Sequence, residues 1–234
     1  MNAAVPAEYG AEFLLWLRDA SESAWREMAD WSLEAFRAAG LIGARWQRGT
    51  RWTGGLTNLE IDDIERRFDL QFPADHRLFL QILHSTTPWQ RGADSRGGEA
   101  TRPGFYDWLH EEGEIRRALD NAIDGVITAL DADDGYWSTH WGTRPTDPDQ
   151  RRGAIERLVS TAPKLIPIFG HRHVIATDPP AVLSIVGTDI IVYGADLREY
   201  LLAELRGVLD LDPGWQPRVE TPPIPFWDDL IYQA

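Results

Sequence analysis

Three short apolar runs late in the chain constrain its fold more than any other feature. They are Leu165, Ile166, Ile168 and Phe169, then Val182-Leu183-Ser184-Ile185-Val186, then Ile190-Ile191-Val192-Tyr193. None has a helical period and β-branched residues dominate, so they read as strands covered on both faces. Gly187-Thr188 separates the last two runs. A two-residue link with glycine first suits a type II′ turn, because glycine tolerates positive φ. Residues 182–186 and 189–193 are therefore expected to pair as an antiparallel hairpin. Pro167 has no N–H to give a ladder, which places its strand at a sheet edge or leaves it paired on one side there. Gly194 breaks the last strand. Asp196 is placed to cap a following helix with Leu197, Tyr200, Leu201 and Leu205 on its apolar side.

Upstream, Phe13, Leu17, Ala20, Ala24, Met28, Trp31 and Ala35 recur at helical intervals, which predicts one long helix over 7–39. Residues 43–55, GARWQRGTRWTGG, interleave arginine with tryptophan. That pattern occurs in single-stranded nucleic-acid binders, but the segment is short, and a linker whose tryptophans pack down accounts for it better. Thr57 and Glu60 form a capping box ahead of Ile61, Ile64 and Phe68. Pro73 opens another helix, with Leu78, Phe79, Ile82 and Leu83 inward. Residues 90–104 read as a surface loop and 111–122 as a helix. Residues 126–130 read as a strand, 131–135 as its turn and 136–141 as the returning strand. Asp147-Pro148 starts a helix carrying Ile155, Leu158 and Val159. The proline-rich tail from 208 reads as an arm whose Trp227, Leu230 and Ile231 pack back on the body.

The expected fold class is α+β. A single twisted, mainly antiparallel sheet holds the three late runs and the 126–141 pair, with helices packed against it. The expected organisation is an N-terminal helix and linker over 1–55, a main domain over 56–207 and a C-terminal arm over 208–234.

The 234 residues contain no cysteine, which excludes disulfides, thiolate metal sites and cysteine nucleophiles. The N-terminus lacks a basic start and a continuous apolar core, so no signal peptide is read there. No stretch approaches the roughly 20 apolar residues of a membrane span. The expectation is a cytoplasmic protein with no membrane contact. The formal net charge is −14, and Lys164 is the sole lysine. Such a surface repels phosphate backbones, which argues against nucleic acid, and attracts a basic protein. Acidity also serves solubility alone. Of the eleven tryptophans, most are expected in the core, while some are available as interface anchors.

The segments FPADHRLFL, IDGVITALDADDGYWSTHWGTRP, APKLIPIFGHRHVIA and LSIVGTDIIVYGADLREYL occur in this order. In that order and spacing the chain resembles the SUKH superfamily of bacterial immunity proteins and fungal cell-wall assembly regulators. The likeness runs from Leu56 over some two thirds of the chain and is strongest from Trp108 to Leu205. Where that family usually has an asparagine-glycine-glycine turn, this chain reads His84-Ser85-Thr86-Thr87-Pro88-Trp89. The resemblance implies one curved sheet with helices on one side and a face left for binding. It implies an immunity protein that neutralises a cognate toxin by stoichiometric binding, without catalysis or cofactor. The alternative it implies is a regulatory or scaffold domain binding an endogenous protein.

Asp131, Asp133, Asp134, Trp137 and Trp141 are the candidate partner contacts, although a place in the core is the simpler reading of both tryptophans. The aspartates resemble the start of a calcium loop. Glycine stands fifth where the EF-hand wants it sixth, and Thr143 sits near the glutamate position, so an acidic turn is the better reading. His171 and His173 alternate along a strand and suit two metal ligands of an enzyme, with no third ligand named by any pattern. A strand-edge pair that caps carbonyls is the simpler reading. No serine elbow, P-loop or dinucleotide fingerprint is present.

Overall fold

A computed structural model describes residues 4–29 and 32–231. Helix α1 (Ala11–Glu27) places Phe13, Leu14, Leu17 and Trp25 in the core. The single long helix expected over 7–39 is broken. Met28 is extended, and α2 (Leu33–Ala38) restarts with Ser32 as its cap, accepting from the Ala35 N–H. Trp31, read as part of that stripe, lies outside the described residues.

The segment read as a linker holds β1 (Gly43–Arg45) and β2 (Arg51–Trp52). Trp46 and Trp52 are buried, and the Trp52 indole donates to Ser21 Oγ at 2.9 Å. Helix α3 (Asn58–Phe68) opens on the capping box: Thr57 Oγ1 accepts from the Glu60 N–H, and Glu60 accepts from the Thr57 N–H at 2.8 Å. Helix α4 (Ala74–Ile82) follows Pro73 and leads to β3 (Thr86–Thr87), which pairs with β2.

Residues 90–104 are not a loop. They form the hairpin of β4 (Gln90–Ala93) and β5 (Glu99–Arg102), with β1 on the other side of β4. Asp94 Oδ1 holds its turn by accepting from the N–H groups of Arg96 and Gly98. Side chain-to-backbone bonding of this kind competes with an open loop, and the glycines that signalled a loop instead make a tight turn.

Helix α5 (Glu112–Asp131) absorbs residues 126–130, which were expected as a strand. Ile115, Ala122, Val126, Ile127 and Leu130 form a buried helical stripe, so tertiary burial overrides the β-propensity of the Val-Ile-Thr run. With that strand absent, residues 136–141 have nothing to return to. They are irregular and end in a 3₁₀ turn at Thr139–Trp141. Helix α6 (Pro148–Thr161) begins with Asp147 capping the Gln150 N–H and proline in its first turn.

The late runs form β6 (Leu165–Phe169), β8 (Val182–Val186) and β9 (Asp189–Gly194), and β7 (Arg172–Ile175) joins them in the order β6-β7-β8-β9. Every pairing is antiparallel. Pro167 lies in the edge strand. The hairpin across Gly187-Thr188 is present, with φ +58° at Gly187 alone, as a type II′ turn requires. Helix α7 (Leu197–Glu204) follows the Asp196 cap, and α8 (Trp227–Ile231) closes the described chain.

The fold is thus α+β, with its strands divided among a four-stranded sheet and two smaller ones. Both faces of the four-stranded sheet are covered. Ile166, Ile168, Val174 and Val182 join one core with α1, α4 and α7. Leu165, Ile175, Leu183, Ile185 and Ile190 join a second with α5, α6 and α8. The open sheet face implied by the family likeness is therefore filled. The N-terminal helix and the C-terminal arm each share a core with the sheet, the arm through Ile224, Trp227 and Leu230. Among the described residues no helix is long and apolar enough to cross a membrane.

Candidate functional site

The five candidate contacts lie at or in one loop, residues 132–147, between α5 and α6. Its base is fixed by two arginines. The buried Arg151 donates from Nε to Asp131 Oδ1 at 2.9 Å. Arg144 donates to Asp133 O at 2.9 Å, to Leu130 O at 3.2 Å and to Ala132 O. The last carbonyls of a helix lack partners within the helix, and this guanidinium supplies one for α5. Gly135 sits beneath the loop, where an added Cβ would fall 2.5 Å from Leu130 O. The Asp131 carboxylate is occupied by arginine, so the aspartates do not assemble a calcium loop.

The aromatic half of the loop is clamped from the C-terminal arm. The Asp229 carboxylate on α8 accepts from Ser138 Oγ at 2.8 Å and from the Trp141 indole at 2.8 Å. His140 Nδ1 lies 2.8 Å from the same carboxylate. Partial burial raises the pKa of Asp229, but the Ser138, His140 and Trp141 hydrogen bonds outweigh it and hold the carboxyl below its ordinary value. Trp141 stacks on Phe226 with ring centroids 5.5 Å apart and meets Trp137 edge-on at 5.5 Å. The Trp137 indole donates to Gly142 O at 3.0 Å.

Ser138, His140 and Asp229 are the residue types of a hydrolytic triad, but their connectivity differs. Ser138 Oγ and His140 Nδ1 both address Asp229 Oδ1, so the hydroxyl is not on the imidazole nitrogen that would take its proton. The arrangement orders a loop. What the loop presents outward is half-buried Tyr136, Trp137 and Trp141, with exposed Asp133 and Asp134 beside them, Asp133 lying 3.8 Å from the Arg151 guanidinium. In protein interfaces generally, rigid aromatics serve as anchors and carboxylates steer a basic partner surface.

His171 and His173 line a different feature, a cleft of about 520 Å³ between α5 and the ends of β6–β9. His171 lies in the β6–β7 turn. His173 is 2% exposed, close to the backbone of Ala118 and His171 without a well-formed hydrogen bond to either. Burial pushes its pKa down to about 4. Both ring nitrogens of His173 are shielded, and only His171 is presented to solvent. Among the described residues no group of three or more His, Asp or Glu is placed to hold a metal ion.

The residue types of the loop were legible in sequence, but its clamp was not. Asp229 lies 88 to 91 residues from its three partners. The sole signal was the apolar triplet Trp227, Leu230 and Ile231, which predicted that the arm folds back without saying where. Comparison with protein-family models, with curated proteins and with solved structures finds no significant match for this chain.

Proposed function

We propose that this chain is a non-catalytic, cytoplasmic protein-binding module that neutralises a cognate bacterial toxin by stoichiometric occlusion. The observation that carries the reading is the clamped loop 132–147. A free polypeptide loop loses conformational entropy when it binds, whereas one already held by Asp229, Arg144 and Arg151 loses little. Its half-buried indoles and exposed carboxylates match what protein interfaces use at their centres and rims. The net charge of −14 favours a toxin domain with a basic surface, and opposite charge speeds encounter. The likeness to SUKH immunity proteins supports a toxin as the partner class.

The test is co-purification with the product of a neighbouring toxin gene and rescue of growth when both are expressed. Trp137→Ala is expected to weaken binding by about 2 kcal/mol, the scale of an aromatic anchor. Asp133→Asn with Asp134→Asn is expected to slow association and flatten its salt dependence. A complex that forms with full affinity after all three substitutions rules out this loop as the contact. Failure of the chain to bind or rescue against any adjacent toxin rules out the immunity reading.

A further inference from the structure

The cleft of about 520 Å³ beside His171 is walled by α5 on one side and by the β6–β7 and β8–β9 turns on the other. Its apolar part is small, made by Ala118 and Ala122 of α5 and by Ile185 and Val186 of β8. Its polar part is rich in donors. Arg172 Nη1 donates to His171 Nε2, which leaves the imidazole its Nδ1–H. Arg117 uses Nε on Gly113 O at 3.1 Å and Nη2 on Glu114, the one acid of the lining, so its Nη1 is left over. Positive charge also stands behind the β6–β7 turn. Arg102 Nη1 lies 3.8 Å from the point where a Cβ on Gly170 would sit, and Gly170 lines the cleft. Among the described residues Arg102 has no ion pair, and Arg172 has one, with Glu204 3.5 Å from its Nε. Burial weakens that compensation further, because it holds the Glu204 carboxyl above its ordinary pKa. Two half-buried guanidiniums thus share one carboxylate, in a chain whose net charge is −14. Buried charge without a counter-charge is costly, and an anion at the turn restores the balance.

We propose that this cleft binds a small carboxylate with a short aliphatic tail. The carboxylate accepts hydrogen bonds from His171 and Arg117 at the β6–β7 turn, in the field of Arg102 and Arg172. The tail lies on Ile185, Val186 and the two alanines, the pairing of an apolar wall with a few placed polar groups that small-molecule sites use. No residue of the cleft belongs to the loop 132–147, so this site and the protein-binding loop are tested apart.

The probe is sodium butyrate, titrated into the full chain and followed by the amide chemical shifts of Asn121, Gly170, His171 and Gly187. Saturable shifts are expected, with a dissociation constant of about 1 mM, the scale that so small a ligand allows. Butyramide, which has the same shape without the charge, is expected to give none. Arg117→Gln and His171→Ala are each expected to weaken binding about tenfold. Val186 is 60% exposed on the rim, so Val186→Glu brings in a competing carboxylate without disturbing the core. It is expected to abolish saturation, whereas Val186→Thr is expected to keep it. Shifts that stay linear in butyrate, equal binding of butyramide, retained saturation in Val186→Glu, or unchanged affinity in both Arg117→Gln and His171→Ala overturns the inference. So does inorganic phosphate binding more tightly than butyrate, since the aliphatic wall then contributes nothing.

Discussion

The indole nitrogen of Trp141 donates to the Asp229 carboxylate at 2.8 Å, tying the loop after α5 to the closing helix across 88 residues. The same carboxylate takes Ser138, with His140 against it. Asp229→Asn keeps the shape but replaces one acceptor oxygen with a donor. Hydrogen bonds to a charged group are worth about 1.5–3 kcal/mol each, and the clamp acts as a unit. The expected loss is about 2–3 kcal/mol in urea denaturation, with faster amide exchange over 136–142. Unchanged exchange there would show that the loop is ordered by ring stacking alone.

His76 is wholly buried on α4, its ring 4.8 Å from Phe72 and 6.0 Å from Phe79, with neither nitrogen hydrogen-bonded. Burial pushes its pKa down to about 3, and that of His173 to about 4. In the unfolded chain both titrate near about 6.5. Below that value the unfolded state binds protons that the native state refuses. The stability each imidazole retains above about pH 6.5 is therefore lost as pH falls toward its folded pKa, at up to about 1.4 kcal/mol per pH unit. His76→Leu removes an unsatisfied polar group from an aromatic pocket. It is expected to stabilise the fold by about 1 kcal/mol at pH 7 and by more at pH 5. A variant with the parent's slope between pH 5 and 6.5 would refute the assignment.

Two glycines of the late hairpin separate backbone freedom from close approach. Gly187 has φ +58°, and the Cβ of an alanine there meets nothing nearer than 3.8 Å. Gly187→Ala is expected to cost about 1–2 kcal/mol, the penalty of a left-handed residue. Gly194 has no such φ, but an added Cβ would lie 2.5 Å from the Tyr200 nitrogen at the first turn of α7. Gly194→Ala must push the helix off the strand, with an expected cost of about 3 kcal/mol or more. Thermal melts of the two variants rank them, and a reversed order would contradict this geometry.

These glycines also mark what was legible in the sequence. The type II′ hairpin, the Thr57 capping box and the Asp147 and Asp196 caps depend on neighbours within a few residues, and each forms as its local chemistry dictates. Gly194 was read as a strand breaker, yet its role is to admit α7, which no local pattern expresses. Residues 126–130 look like a strand because Val126, Ile127 and Thr128 are β-branched. They are helical because the sheet and α6 bury one stripe of α5. That misreading carried the candidate site with it: Asp131–Asp134 became a hairpin turn, and the Arg144 contacts, which need helix carbonyls, had no place. Asp229 was invisible because its partners are far away in sequence. The acidic and aromatic character of the site was readable, and its rigidity was not.

Glu204 and Asp229 are carboxylates whose environments push in opposite directions. Glu204 lies on α7 with its side chain 12% exposed and Arg172 Nε 3.5 Å away. Burial raises its pKa, and Arg172 and Arg102 only partly offset this. Arg172 is engaged elsewhere as well, stacked 3.8 Å over Tyr193 and donating to Ser184 Oγ at 2.8 Å. For a carboxyl raised on folding, stability is full below the unfolded pKa of about 4.3 and is lost as pH rises through the folded value. For Asp229, lowered on folding, stability is full above the unfolded pKa of about 3.9 and is lost as pH falls through the folded value. Glu204→Gln stays neutral at every pH. Its stability relative to the parent is expected to improve as pH rises from about 4 to 8, whereas Asp229→Asn should lose its disadvantage only below about pH 4. Urea midpoints across that range test both. A Glu204→Gln variant that falls further behind the parent toward pH 8 would mean that the Arg172 pairing outweighs burial, since truncating one partner of a buried pair leaves the other charge without compensation.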